Sequence, residues 1–198
     1  MRKIIFLAIV LLATSQSFSQ KKKATAKKAT TTSAACVSKL DNLTAEIKSG
    51  NFQITIAGKG KATDAIIVKS KDAGPGPTDC KLASFTASAT KLYLLQWSEK
   101  SLIKTGNKTE DKTTIYSVVY EIMNKKQVFS NTQITNHITE IVSLGGTAAT
   151  ETQERIRREG FEFILNPDGS ISQKNKTQEN KWVYKADTME FVDAKKKK

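Results

Sequence analysis

The chain has 198 residues, with 32 Lys and Arg, 19 Asp and Glu, two cysteines and one histidine. So few histidines and cysteines exclude a standard four-ligand structural zinc site and any Cys-rich cluster. The formal charge of +13 invites polyanions, but residues 1–28 hold seven basic residues and no acid, and residues 195–198 are four lysines; residues 29–194 carry 21 basic against 19 acidic side chains. The positive charge therefore belongs to two tails, not to a folded face.

Arg2 and Lys3 precede an unbroken apolar run from Ile4 to Ala13, and small residues follow. Ser17 and Ser19 stand at the −3 and −1 positions of a cleavage before Gln20, the small-x-small pattern of a signal peptidase site. As a helix the apolar run would span about 15 Å, roughly half of a bilayer's hydrocarbon core. Residues 1–19 are therefore read as a cleaved signal peptide, and the mature chain, with no transmembrane segment, as periplasmic or secreted. Cys36 lies too far past the run to be a lipoprotein's acylated cysteine. Residues 20–34 use only Gln, Lys, Ala, Thr and Ser; with no bulky apolar residue they form a disordered linker. Its lysines, Lys21, Lys22, Lys23, Lys27 and Lys28, and those of the basic tail at 195–198, Lys195, Lys196, Lys197 and Lys198, are candidates for facing a polyanion. Such tails attract anionic envelope lipid or glycan without sequence readout, so no specific nucleic-acid binding is expected.

Residues 35–194 read as a single β-rich globular domain. Val37, Leu40, Leu43 and Ile47 are spaced for one side of a short helix, closed by Gly50. The period then becomes two: Phe52, Ile54 and Ile56 share one face of a strand, and DAIIVKS follows as another. KDAGPGPTD is a loop. LYLLQW is a largely buried strand, and the charged TGNKTEDK is a connection. TTIYSVVYEIM and QVFSNTQITNHITEIVSL form a long hairpin about NKK. TAATETQERIRREG is expected to be a second helix, with Thr150 and Gln153 as a capping box, acids leading the basic residues and Gly160 at its end. Hairpins turning at NPDG and at KADT complete the chain. The expected fold class is α+β, predominantly antiparallel β with one or two short helices: a meander, barrel-like or two-layer.

Cys36 and Cys80 are the disulfide candidate of an exported chain. Such a bridge closes a loop of 45 residues counted inclusively, which the chain-entropy model converts to about 4 kcal/mol.

No motif names a reaction. His137 stands inside a predicted strand without a nucleophile or a metal-binding partner in its neighbourhood of sequence. AGKGKAT fails the phosphate-loop pattern at both ends, since Thr55 stands where the first glycine should be and Ala62 follows Lys61. Arg155 and Arg158 would share a helical face among Glu151, Glu154 and Glu159, a charge-balanced surface. Tyr93, Trp97, Tyr116 and Tyr120 read as core. Trp182 and Tyr184, on one face of a terminal strand, are the binding-surface candidates. Three Asn-x-Ser/Thr sequences, at Asn42, Asn107 and Asn175, occur at about the frequency chance gives. No catalytic residue, metal or cofactor is assigned. The leading expectation is a small exported, non-enzymatic protein with a binding or structural role in the bacterial envelope or outside the cell. The alternatives are a secreted hydrolase of polysaccharide or peptide, needing two carboxylates held close together, and a polyanion or nucleic-acid binder working through its lysine-rich tails.

Overall fold

The computed structural model describes residues 36–58, 63–70, 73–146 and 148–195. The expected signal peptide and linker, residues 59–62 of the Gly-Lys stretch, and Lys196, Lys197 and Lys198 lie outside the described residues. Every regular element among the described residues is a β-strand, and every pairing is antiparallel between sequence neighbours. The first sheet takes β1 (Ser38–Leu40), β2 (Leu43–Lys48), β3 (Asn51–Ala57) and β4 (Thr63–Lys69) in that order. The central sheet takes β5 (Thr78–Ala87), β6 (Thr90–Thr105), β7 (Lys108–Glu121), β8 (Lys126–Ser143) and β9 (Thr150–Gly160). The last sheet takes β10 (Glu162–Leu165), β11 (Ile171–Lys174), β12 (Glu179–Lys185) and β13 (Glu190–Asp193).

The predominantly antiparallel β expectation holds, and both expected helices are corrected. The segment from Val37 to Gly50 is a hairpin: the chain turns at Asp41-Asn42, with Asp41 at φ 53°, and again at Ser49-Gly50, with both φ positive. Two-residue turns that open with positive φ, at the first or at both central residues, have the twist that matches the flanking strands, so these two dipeptides override a helical spacing of four apolar residues. Leu43 and Ala45 are buried while Ile47 faces solvent. The second expected helix is β9, paired with β8 from Ser143↔Thr150 to Gln133↔Gly160. Neither face of β9 is covered, so its residues do not alternate and its sequence carries no strand period. TGNKTEDK is likewise no connection: β6 runs through Thr105, turns at Gly106-Asn107 and returns as β7.

The three sheets stack because β6 and β7 are apolar on both faces near their inner ends. Tyr93, Leu95 and Trp97 on β6, with Val118 and Tyr120 on β7, face Phe52, Ile54, Leu43 and Ala45 of the first sheet. Their alternate neighbours, Leu92, Leu94 and Val119, face Ile171, Tyr184 and Phe191 of the last sheet. The central sheet is thus the shared floor of two cores, and LYLLQW is apolar without alternation because both of its faces are buried. Trp97 stacks on Tyr116, with ring centroids 4.7 Å apart, and meets Phe52 edge-on at 5.3 Å. Cys36 and Cys80 are joined by a disulfide that ties the start of the first sheet to the central one.

One ion pair closes the first core. Lys69 at the end of β4 donates to Glu99 at 2.6 Å and to the Pro75 carbonyl at 2.7 Å, while Trp97 Nε1 donates to the same Glu99 oxygen at 3.1 Å. Both charges are largely shielded, at 16% and 7% side-chain exposure. The Gly-Pro loop is thereby fixed over the edge of the core.

Candidate functional site

The cores end at Glu99, Thr114 and Asn131, but the strands do not. β6, β7 and β8 continue by six to twelve residues beyond these points, and β9 joins them along its whole length. Neither outer sheet covers this outer half. Its outermost strand β9 is exposed at every residue, and Leu102 and Ile103, neighbours on β6 that face opposite sides, are 60% and 51% exposed. Register rather than burial holds it, since the core already aligns the strands and each further pair adds ladder bonds without a new nucleation step. Cross-strand contacts add small increments, with Asn136 donating to Glu110 at 2.7 Å and Arg155 to Glu140 at 3.4 Å, and Lys108 pairs with Glu110 along β7 itself.

The register assigns every side chain of the outer half to a face. On the face continuous with the second core, Leu102, Asp111, His137 and Ile156 form one row across four strands; Lys100, Thr113, Thr135 and Arg158 form the next row inward. This face meets the last sheet at a step. Gly160 makes the step: its φ is +79°, and a Cβ there would fall deep inside contact distance of the Thr132 carbonyl oxygen. Only glycine lets β9 run flush against β8 up to the residue where the chain leaves the central sheet. Beyond Phe161 the chain enters β10, and the β11–β12 turn stands beside the end of β9.

The step encloses an open cleft of about 520 Å³ lined by Ile156, Arg158, Glu159, Glu162, Lys174 and Lys176, among others. Glu159 is engaged by Arg157 at 2.6 Å. Arg158, Lys174 and Lys176 have no ion-pair partner among the described residues. The turn that presents the two lysines is rigid: Asn175 Oδ1 accepts from the Thr177 and Gln178 amides at 3.0 and 2.8 Å. At the opposite end of the same face, Asp79, Lys81, Gln96, Ser98 and Lys100 line a second shallow cleft. There the Ser98 hydroxyl donates to Asp79 at 2.7 Å and, with Thr78, holds that carboxyl below its usual range. The chemistry available at the step is recognition of an anionic group by three free cations on a fixed frame.

Sequence reading does not find this cleft. Arg158 lies on the strand expected to be a helix, and the two lysines lie past NPDG; only the sheet crossing at Gly160 brings them together. Of the residues singled out from sequence, Arg158, Glu159 and Asn175 line the cleft, and the others are placed elsewhere. Trp182 and Tyr184 share a face, and it is the core-facing one: Tyr184 is buried against Phe191, and Trp182 donates to Gln173 at 2.8 Å over Phe129. Arg155 and Arg158 lie on opposite faces of β9. His137 is exposed, between Asp111 and Ile156 in its row. Asn42 and Asn107 serve as turn residues, donating to the Ala57 and Ile141 carbonyls. Lys195 folds back, its amide donating to Asp193 and its ammonium to the Glu179 carbonyl. Among the described residues, no group of three or more His, Cys, Asp or Glu side chains is placed to hold a metal ion, and no helix is long and apolar enough to cross a membrane. No protein-family model, curated protein or solved structure matches the chain.

Proposed function

We propose that this chain is an exported, non-enzymatic binding protein of the bacterial envelope, which receives an anionic envelope glycan or lipid headgroup on the outer half of its central sheet. The observation that carries this reading is the long bare sheet with three unpaired cations fixed at its inner end. A fold needs no such extension to bury its cores, and an extended, flat, hydrogen-bonded surface suits a polymer or a membrane face. The disulfide between Cys36 and Cys80 is compatible with an oxidising compartment.

The test uses purified, unreduced protein against a uronic-acid polymer, a neutral glucan, and vesicles of neutral or anionic lipid. Binding to an anionic probe that falls with salt and is lost in the triple variant Arg158→Glu, Lys174→Glu, Lys176→Glu supports the reading; the polymer and vesicle arms separate glycan from lipid. Binding that survives this variant but is lost on trimming both lysine tails assigns it to the tails. A single observation favours a hydrolase instead: Glu159 and Glu162 line the same cleft. Hydrolysis of polysaccharide or peptide that disappears in Glu162→Gln would establish that reading and overturn ours. Export is checked separately by the intact mass of the native chain from fractionated cells, expected to start at Gln20.

A further inference from the structure

The free edge of the central sheet is β9, whose exposed residues run from Thr150 to Gly160. The hydrogen-bond phase of the ladder tells which backbone groups point outward. Leu144 donates its amide to the Ala149 carbonyl at 3.0 Å, and Ile141 donates to Asn107 at 2.8 Å. On β8 the odd residues therefore bond to β7 and the even residues to β9. The β8–β9 register runs without a shift, so on β9 the odd residues bond inward. The amides and carbonyls of Thr150, Thr152, Glu154, Ile156 and Arg158 point to the open edge.

Such an edge is a template for another strand unless its side chains forbid it. A guard built from one sign of charge would repel a second copy. β9 instead has its acids, Glu151 and Glu154, toward one end and its arginines, Arg155, Arg157 and Arg158, toward the other, with Glu159 after them. Two copies related by a twofold axis normal to the sheet pair antiparallel, with equivalent faces on the same side. Centred on Gln153, that pairing sets Glu151 opposite Arg155 of the second copy, twice by symmetry. It sets Thr152 opposite Glu154 and Thr150 opposite Ile156. No like charges face each other from Thr150 to Ile156. Centring on Glu154, Arg155 or Arg157 puts that residue opposite itself, and centring on Ile156 sets Arg155 against Arg157. Centring on Thr152 or Thr150 opposes no like charges but sets no acid against an arginine, so the charge order of this edge favours the Gln153 register rather than blocking all of them.

We infer that β9 joins antiparallel to β9 of a second copy, centred on Gln153, making one continuous sheet across the two chains. The two Arg158 clefts then lie on the same side of that sheet, displaced by about 33 Å along the strands at 3.3 Å per residue. A long anionic polymer could occupy both, with the gain in avidity that linked sites give. The pairing itself rests on the edge alone and stands whether or not the cleft binds a glycan.

The measurement is the mass of the full, unreduced chain by sedimentation over a range of concentrations. A dimer is expected. Glu154→Pro removes an amide that points outward and serves no bond within the fold, so it should leave the fold intact and give a monomer. Glu151→Arg alone, or Arg155→Glu alone, sets like charges opposite each other and should weaken the dimer at least about tenfold. The double variant Glu151→Arg, Arg155→Glu should restore it. A wild-type chain that is monomeric throughout overturns the inference, as does a dimer that all of these variants leave unchanged. Should Glu154→Pro fail to fold, the single and double charge variants decide alone.

Discussion

The same three strands, β6, β7 and β8, are built in two ways along their length. Near Trp97 and Val119 the central sheet is covered on both faces, and its side chains alternate between two cores. Beyond Glu99 and Thr114 the same ladders continue with most side chains exposed or half-buried, Ile138 on β8 being the buried exception. In the inner half hydrophobic burial dominates, at about 1.5–3 kcal/mol for each fully buried large side chain. In the outer half each cross-strand pair contributes only about 0.2–1 kcal/mol, and the register is inherited from the core. Equivalent positions a few residues apart on one strand should therefore differ several-fold in how much a substitution matters.

The largest contrast is expected at Trp97. Trp97→Ala removes the ring that joins Phe52 to Tyr116 and should cost about 3–5 kcal/mol, enough to unfold a marginal domain in a denaturant titration. Next comes the ion pair at the boundary. Lys69→Met leaves Glu99 shielded with only Trp97 Nε1 to pair it, and should cost about 3 kcal/mol. The double change Lys69→Met, Glu99→Gln should recover much of that loss. In the bare half, Arg155→Met breaks an exposed pair with Glu140 and should cost under about 0.5 kcal/mol. If the two losses come out equal, the boundary drawn at Glu99 is misplaced.

Gly160→Ala acts at the joint between the sheets. The methyl meets the Thr132 carbonyl and the backbone has positive φ, so about 2–3 kcal/mol should be lost. The Arg158 cleft should open with it, weakening binding of an anionic probe even where the variant still folds. Slightly smaller is the alkaline effect. Burial pushes the Tyr120 phenol up to about 12, and burial also raises Tyr116 and Tyr184. In the unfolded chain these phenols ionise near 10. Their contribution is thus complete below pH 10 and declines as pH rises toward 12, with Tyr120 alone accounting for roughly 2 kcal/mol by then. These three rings pack in or against the two cores, so their phenolate absorbance and the loss of the cores should coincide.

What could be read in the sequence follows the same division. The covered half was legible: LYLLQW, TTIYSVVYEIM and the period-two run at Phe52, Ile54 and Ile56 carry burial, and burial leaves a pattern. NPDG and KADT announced their turns by chemistry. The bare half was not legible, because a strand wet on both faces has nothing to alternate, and TETQERIRREG satisfies the helix signals of capping and charge order just as well. Val37 to Gly50 failed for a different reason, since Asp41-Asn42 and Ser49-Gly50 are short turns inside an accidental helical spacing. The cleft joins residues from two sheets through one glycine, so no local pattern could contain it. The two cysteines were the exception: a long-range contact that residue type alone made visible.

The smallest expected effect is the sharpest test of the outer half. Leu102 and Ile103 face opposite sides of β6, and neither is covered. Leu102→Thr and Ile103→Thr should each change stability by less than about 0.5 kcal/mol, whereas Leu92→Ala or Leu95→Ala on the same strand should cost about 2–5 kcal/mol. Thr also suits a strand, so neither change should disturb the ladder. A loss above about 1 kcal/mol from one of the two would show that its face is covered in solution. Leu102 shares a row with His137 and Ile156, so a loss there alone would mean that something rests on the cleft side of the sheet.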